Sequence, residues 1–421
     1  MEPPGRREEV TALVLTARDV EALRAATPGC HGRAYLNNAG AALPTQATVD
    51  AVIAHLRLEA EIGGYLAATE AEDVLTGGRA DGAALVGAHP DEIVLTTSDT
   101  AGWIKAFWGF VLAGGLRRGD RVLVDQLSYS SHYLALLQAG RLVGSEVVAA
   151  PAGGDGAVDV EALAAMLDDR VRLVAMTHVG TNCGLVNPVV EVGQAVREAR
   201  ARGTAYFVDA CQSVGQLPFD VEAVGCDVAT MTGRKFLRAP RGTGMLYVRR
   251  ELQGRLDPPG IDATSADWID GDRYEPRVGS DRLEEFEASI AARVGLANAL
   301  VEARALGIEA IHDRTAALAE RLRRGLLEID GVTVEDGEAE RSAIVTFRVH
   351  GGRVDASTVI GAAAGADITI NSSTAPWARL DMTRRHLDEV VRASPHYYNT
   401  NDELDRLLGV VAAVASGTRR T

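Results

Sequence analysis

Thr204-Ala205-Tyr206-Phe207-Val208-Asp209-Ala210-Cys211-Gln212 runs from an apolar stretch into a carboxylate, and 26 residues beyond Asp209 the chain carries Lys235 in Thr232-Gly233-Arg234-Lys235. The apolar run predicts a buried strand that delivers Asp209 at its C-terminal end, where open α/β sheets bind their ligands. A second run, Val228-Ala229-Thr230-Met231, leads into the lysine. A lysine that can hold an aldehyde as a Schiff base, paired with a carboxylate that keeps a ring nitrogen protonated, is what pyridoxal 5′-phosphate chemistry requires. Arginine supplies nearly all the positive charge of the chain, and its only two lysines are Lys105 and Lys235. Lysine at 235 is therefore a poor candidate for surface filler.

Outward from this pair, strand-like runs alternate with amphipathic segments. The runs are Ile93 to Thr96, Arg121 to Val124, Glu146 to Ala149, Leu173 to Thr177, Ala205 to Val208, Val228 to Met231 and Gly244 to Val248. Val160 to Leu167 and Val190 to Ala199 have the spacing of helices that cover a sheet. The rhythm predicts an α/β fold built on a mostly parallel seven-stranded sheet. From about Ala291 a long helical stretch and then alternating segments such as Ala343 to Val349 predict a smaller α+β domain. The expected division is an N-terminal segment, 1–34, joining the small domain, a large cofactor-binding domain, 35–290, and a small C-terminal domain, 291–421. Pro258 to Asp272 reads as a loop.

With 43 basic and 58 acidic residues, the net charge of −15 argues against nucleic acid or an anionic membrane as partner and for a small-molecule substrate. Met1 to Glu9 lacks the apolar core of a signal peptide, and no stretch reaches the roughly 18 apolar residues of a membrane span. A cytoplasmic enzyme is expected. Cys30, Cys183, Cys211 and Cys226 have no CxxC spacing, so neither a metal site nor a disulfide framework is expected.

The segments around the pair fill out a site. Thr97-Ser98-Asp99-Thr100-Ala101-Gly102 lies between a strand and the helical-looking Trp103 to Leu112, so its backbone N–H groups can receive a phosphate. Asp99 is compatible with that anion if its side chain caps the helix. Thr232 and Arg234 can add a hydroxyl and a cation to the same phosphate. Tyr129, after the strand ending at Val124, offers a ring to stack on the cofactor, with His132 as a rival. Thr181 or Asn182 can hydrogen-bond the ring oxygen O3′, and Gln212 can reach the same edge. His178 reads as a packed histidine.

Taken in order, Tyr35-Leu36-Asn37-Asn38-Ala39-Gly40, Ser98-Asp99-Thr100, Thr177-His178-Val179, Asp209-Ala210-Cys211-Gln212, Thr232-Gly233-Arg234-Lys235 with Gly242-Thr243-Gly244, and Val391-Arg392-Ala393-Ser394-Pro395-His396 resemble the class V aminotransferase family of fold type I pyridoxal phosphate enzymes. That family includes cysteine desulfurases, isopenicillin N epimerase-like proteins and C–S lyases, among them lincosamide-pathway enzymes. The resemblance implies Lys235 as the Schiff-base lysine, Asp209 at the ring nitrogen, Gln212 near O3′, Thr100, Thr232 and Arg234 on phosphate, and Arg392 on the substrate carboxylate. A guanidinium fork suits that last role. The resemblance also implies a homodimer with Ser289 reaching the partner's phosphate, and substrate contacts from the segments holding Asn38, Tyr65 and Trp377.

Two departures bear on the reaction. Ile368 to Pro376 has no cysteine where desulfurases of the family carry a sulfur acceptor, and Arg234 stands where many relatives have histidine, leaving Lys235 as acid and base. The expectation is β-elimination from an S-substituted cysteine conjugate in specialised metabolism, with cysteine desulfuration excluded. Decarboxylating oxidative deamination, epimerisation and transamination stay open as alternatives.

Overall fold

A computed structural model describes residues 14–417; the start from Met1 to Glu9, read above as lacking the apolar core of a signal peptide, lies outside the described residues. Seven strands form the central sheet: β1 (Ile93–Thr96), β2 (Arg121–Val124), β3 (Glu146–Ala149), β4 (Val171–Thr177), β5 (Ala205–Asp209), β6 (Val228–Thr232) and β7 (Gly244–Val248). Their order is β1-β7-β6-β5-β4-β2-β3, and β7 alone runs against its neighbours. The sheet is buried on both faces, which is why its strands read as continuous apolar runs. In β5, Tyr206 and Val208 enter one core while Ala205 and Phe207 enter the other. Burying Phe207 alone is worth about 1.5–3 kcal/mol.

Helices cover both faces. We number α1 (Gln46–Ile62), α2 (Glu72–Leu85), α3 (Asp99–Leu112), α4 (Ser130–Val143), α5 (Val189–Arg200), α6 (Ile290–Leu306) and α7 (Ile308–Leu327). Leu296, Ala299, Leu300 and Ala303 of α6 join the core under the large sheet, while Leu318, Leu322 and Leu326 of α7 belong to a second core. The helix that starts at the expected boundary, 290/291, packs under the large sheet.

The second core lies against a four-stranded antiparallel sheet of β8 (Val332–Val334), β9 (Val345–Val349), β10 (Asn371–Thr374) and β11 (Glu389–Ala393), in the order β8-β9-β11-β10. Here β11 places Arg392 opposite Thr346 and Asn371. The N-terminal helix Ala17–Ala25 is tied to the C-terminal segment through Arg24, which donates to the Tyr398 carbonyl at 2.8 Å and pairs with Glu403 at 2.9 Å.

The stretch read as a loop from Pro258 to Asp272 instead contains a strand, Ala266–Asp270, paired antiparallel with Arg273–Pro276. The loop reading failed for a physical reason: apart from Ala266, both strands are exposed, so no alternation of apolar and polar residues is required. No helix among the described residues is long and apolar enough to cross a membrane.

Candidate active site

The C-terminal ends of β4, β5 and β6 converge on one cradle. Asp209 closes β5 and is 5% exposed; its Oδ1 accepts the Cys211 N–H at 2.9 Å. Lys235 follows β6 through a turn that only glycine can make at 233. A Cβ there would lie 2.9 Å from the Ala239 Cβ and collide with Thr243 Oγ1. Lys235 is 7% exposed, donates to Cys211 Sγ at 3.1 Å and lies 6.0 Å from the centre of the Tyr129 ring. The pair read from the sequence is brought together.

At the start of α3, Ser98 is the N-cap and accepts the Ala101 N–H at 3.0 Å. Like those of any first turn, the amides of Asp99 and Thr100 have no partner within the helix. The Asp99 side chain does not cap the helix as expected. It turns inward to His132, whose Nε2 lies 3.0 Å from Asp99 Oδ2. A ready N-cap in Ser98 frees Asp99 for this buried ion pair. Arg234 donates to the Gly40 carbonyl, and the Ala42 N–H returns a bond to the Arg234 carbonyl at 2.8 Å, so this arginine also anchors the 37–42 segment. Thr232 is buried at the end of β6.

Tyr129 immediately precedes α4 and lies parallel to Trp377, with ring centres 6.1 Å apart. His132, the rival for ring stacking, stacks on Trp103 instead, at 4.2 Å. Thr181 is a junction: its Oγ1 accepts from Gln212 Nε2 at 3.2 Å and from Arg392 Nη1 at 2.9 Å. Arg392 also donates to the Thr181 carbonyl at 2.9 Å, is 6% exposed, and has no carboxylate partner among the described residues. Burial pushes its guanidinium down to about 10, so it remains charged at neutral pH.

Several expected residues are committed elsewhere. Asn182 donates to Asp381 Oδ2 at 2.7 Å, tying the cradle to the helix Arg379–Arg384 rather than presenting its amide nitrogen to a ligand. Asn38 donates to the Ser394 carbonyl at 2.7 Å and accepts from the Tyr398 hydroxyl, so both ends of its amide brace the chain. Tyr65 is 81% exposed and leans on Phe286 at 6.5 Å. Ser289 caps α6, accepting the Ala292 N–H at 3.2 Å. His178 rests against Phe219, and burial pulls it down to about 4, which leaves it neutral. All four cysteines are free; burial pushes the Cys211 thiol up, so it faces Lys235 uncharged.

The residues fit pyridoxal phosphate. Among the described residues, Gln212 Oε1, Arg392 Nε and Asp99 Oδ1 are buried without a hydrogen-bond partner. Buried polar atoms are rarely left so, and several around one lysine and one carboxylate indicate a polar ligand among them. The link from His132 to Asp209 was missed in the sequence, although His132 stands one helical turn beyond Tyr129 and shares its face.

A family model described as Aminotransferase class-V matches residues 34–407. The chain is 34% identical over 396 residues to a probable hercynylcysteine sulfoxide lyase of Mycobacterium tuberculosis, covering 94% of this chain and 93% of that one. It is 31% identical over 353 residues to a probable cysteine desulfurase of Methanothermobacter thermautotrophicus, covering 82% and 85%. The apo cysteine desulfurase of Thermococcus onnurineus NA1 has the same fold, with a TM-score of 0.86 at 24% identity over 94% of this chain and 98% of that one. These likenesses overturn the exclusion of cysteine desulfuration, and with it the restriction to β-elimination from a cysteine conjugate.

Proposed function

Because this chain belongs to the class V aminotransferase family, we propose that it breaks the Cβ–S bond of a cysteine-class amino acid, free cysteine included. Its cofactor is pyridoxal 5′-phosphate. Arg392 carries the proposal: a buried, charged guanidinium with an unpartnered Nε, bonded to the Thr181 that also meets Gln212, is a receptor for an α-carboxylate. Cleavage at sulfur is supported by the names of both relatives.

When bound, the cofactor supplies an electron sink for negative charge at Cα. The protein does the rest. Arg392 would fix the α-carboxylate, Lys235 Nζ would move the α-proton, and Asp209 would be the carboxylate that holds the ring nitrogen. Tyr129 and Trp377, parallel with ring centres 6.1 Å apart, offer an aromatic side to the site.

The test is to incubate the cofactor-loaded enzyme with L-cysteine and, separately, with S-methyl-L-cysteine S-oxide, and to identify products by mass. Cleavage of at least one is expected: alanine with released sulfur marks desulfuration, pyruvate with ammonia marks elimination. Recovery of both amino acids intact, or conversion only to keto acids that keep their sulfur, would sink the proposal.

The exposed pair Tyr65 and Phe286 offers an apolar surface three residues from Ser289, which supports a homodimer. Light scattering should give twice the chain mass; a monomer that turns over at full rate would refute this.

A further inference from the structure

We propose that Asp99, His132 and Asp209 form a buried charge chain in which His132, held as an imidazolium, is a positioning residue that keeps Asp209 ionised and aimed at the cofactor's ring nitrogen. This rests on the cofactor cradle described above and assigns a role to two residues outside it. His132 Nε2 is 3.0 Å from Asp99 Oδ2, and its Nδ1 is 3.2 Å from Asp209 Oδ2. The second contact is an ion pair by distance but is not aligned as a hydrogen bond, and among the described residues Nδ1 has no hydrogen-bond partner. With a carboxylate oxygen close to each ring nitrogen, a neutral imidazole would turn a lone pair towards one of them; the doubly protonated ring instead sets a positive N–H edge against both.

The groups facing His132 come from every element around it. Asp99 and Trp103 lie on α3, Asp209 ends β5, and Tyr129 begins the histidine's own helix, edge-on at 6.1 Å. All three members of the chain are buried, and the Trp103 face 4.2 Å away favours a cation. Burial opposes the charge on His132, but the Asp99 and Asp209 carboxylates outweigh it and push the imidazole up to about 10. One imidazolium between two carboxylates leaves one net negative charge, which a protonated ring nitrogen neutralises. Neither carboxylate then has to be buried unpaired, a condition that costs far more than the pair returns. Asp99 thus serves the cofactor from the far side of His132, although it lies in the segment that faces the phosphate.

Three measurements on wild type, His132→Gln and Asp99→Asn test the chain. Long-range 1H–15N spectra of the histidine rings in the apo-protein, with His132→Gln identifying the signal, should show both His132 nitrogens protonated from pH 6 to about pH 9. With ring-15N cofactor bound, the nitrogen should be protonated in wild type and lose protonation in His132→Gln. Release of cofactor on dilution should be about tenfold faster in His132→Gln and intermediate in Asp99→Asn. Apo-protein melting curves check that each variant folds, and Asp99→Asn, which keeps the shape of the side chain, covers the case in which His132→Gln does not. A single-nitrogen tautomer of His132 at pH 8 would overturn the proposal, as would folded variants whose ring-nitrogen signal and cofactor release match wild type. Failure of wild type to take up cofactor would instead overturn the cradle itself, while the histidine spectra still report on the charge chain.

Discussion

Lys235→Ala is expected to abolish the visible absorbance of lysine-bound cofactor and to lower turnover by at least about three orders of magnitude. The size follows from one group doing two jobs, holding the cofactor and moving the proton at Cα. No other residue can take over. The second lysine of the chain, Lys105, donates to the carbonyls of Leu283 and Glu284 at 2.8 and 3.1 Å and is tethered there. The fold should survive, because among the described residues Lys235 forms no ion pair that its loss would strand; its hydrogen bond is to the uncharged Cys211 thiol. Borohydride reduction followed by peptide mapping gives the check. A cofactor adduct on Lys235 in wild type and none in the variant is the expected pattern, and an adduct that persists elsewhere with undiminished turnover would remove Lys235 from its role.

Arg392→Ala should leave the cofactor band in place and lower kcat/KM for the amino acid about a hundredfold, chiefly through KM. A hydrogen-bonded charge pair with a carboxylate is worth about 2–3 kcal/mol when buried, and each 1.4 kcal/mol is tenfold. Arg392→Lys should recover little, since an ammonium cannot reproduce the planar two-bond fork. The Thr181 contacts make this a site effect: the same guanidinium nitrogen bonds both the carbonyl and the hydroxyl of Thr181, so its position is set from the segment after β4 although β11 belongs to the four-stranded sheet. Steady-state kinetics with absorbance spectra decide it. A lost cofactor band with unchanged KM would move Arg392 from substrate to cofactor.

The two predictions differ in how far they could be foreseen. Lys235 and Asp209 stand at the ends of apolar runs, and those runs are buried strands in adjacent positions, β5 beside β6. Sequence distance between them is short, and a parallel sheet sets successive strand ends side by side. Arg392 and Thr181 are 211 residues apart, and only the docking of the two sheets makes them neighbours.

By itself, the sequence determined the seven strands of the large sheet and the carboxylate and lysine they deliver, because a strand buried on both faces must be apolar along its length and must end where polar groups resume. Tertiary structure alone decided which polar side chains remain available to a ligand. Asn182 and Asn38 have the right chemistry and lie in the right segments, yet partners 199 and 360 residues away, Asp381 and Tyr398, engage them. Asp99, read as a helix cap, is drawn to His132 and through it towards Asp209. The physical reason is the same in each case: a buried polar group must find a partner, and which one comes within 3 Å depends on how distant elements pack, not on any local pattern.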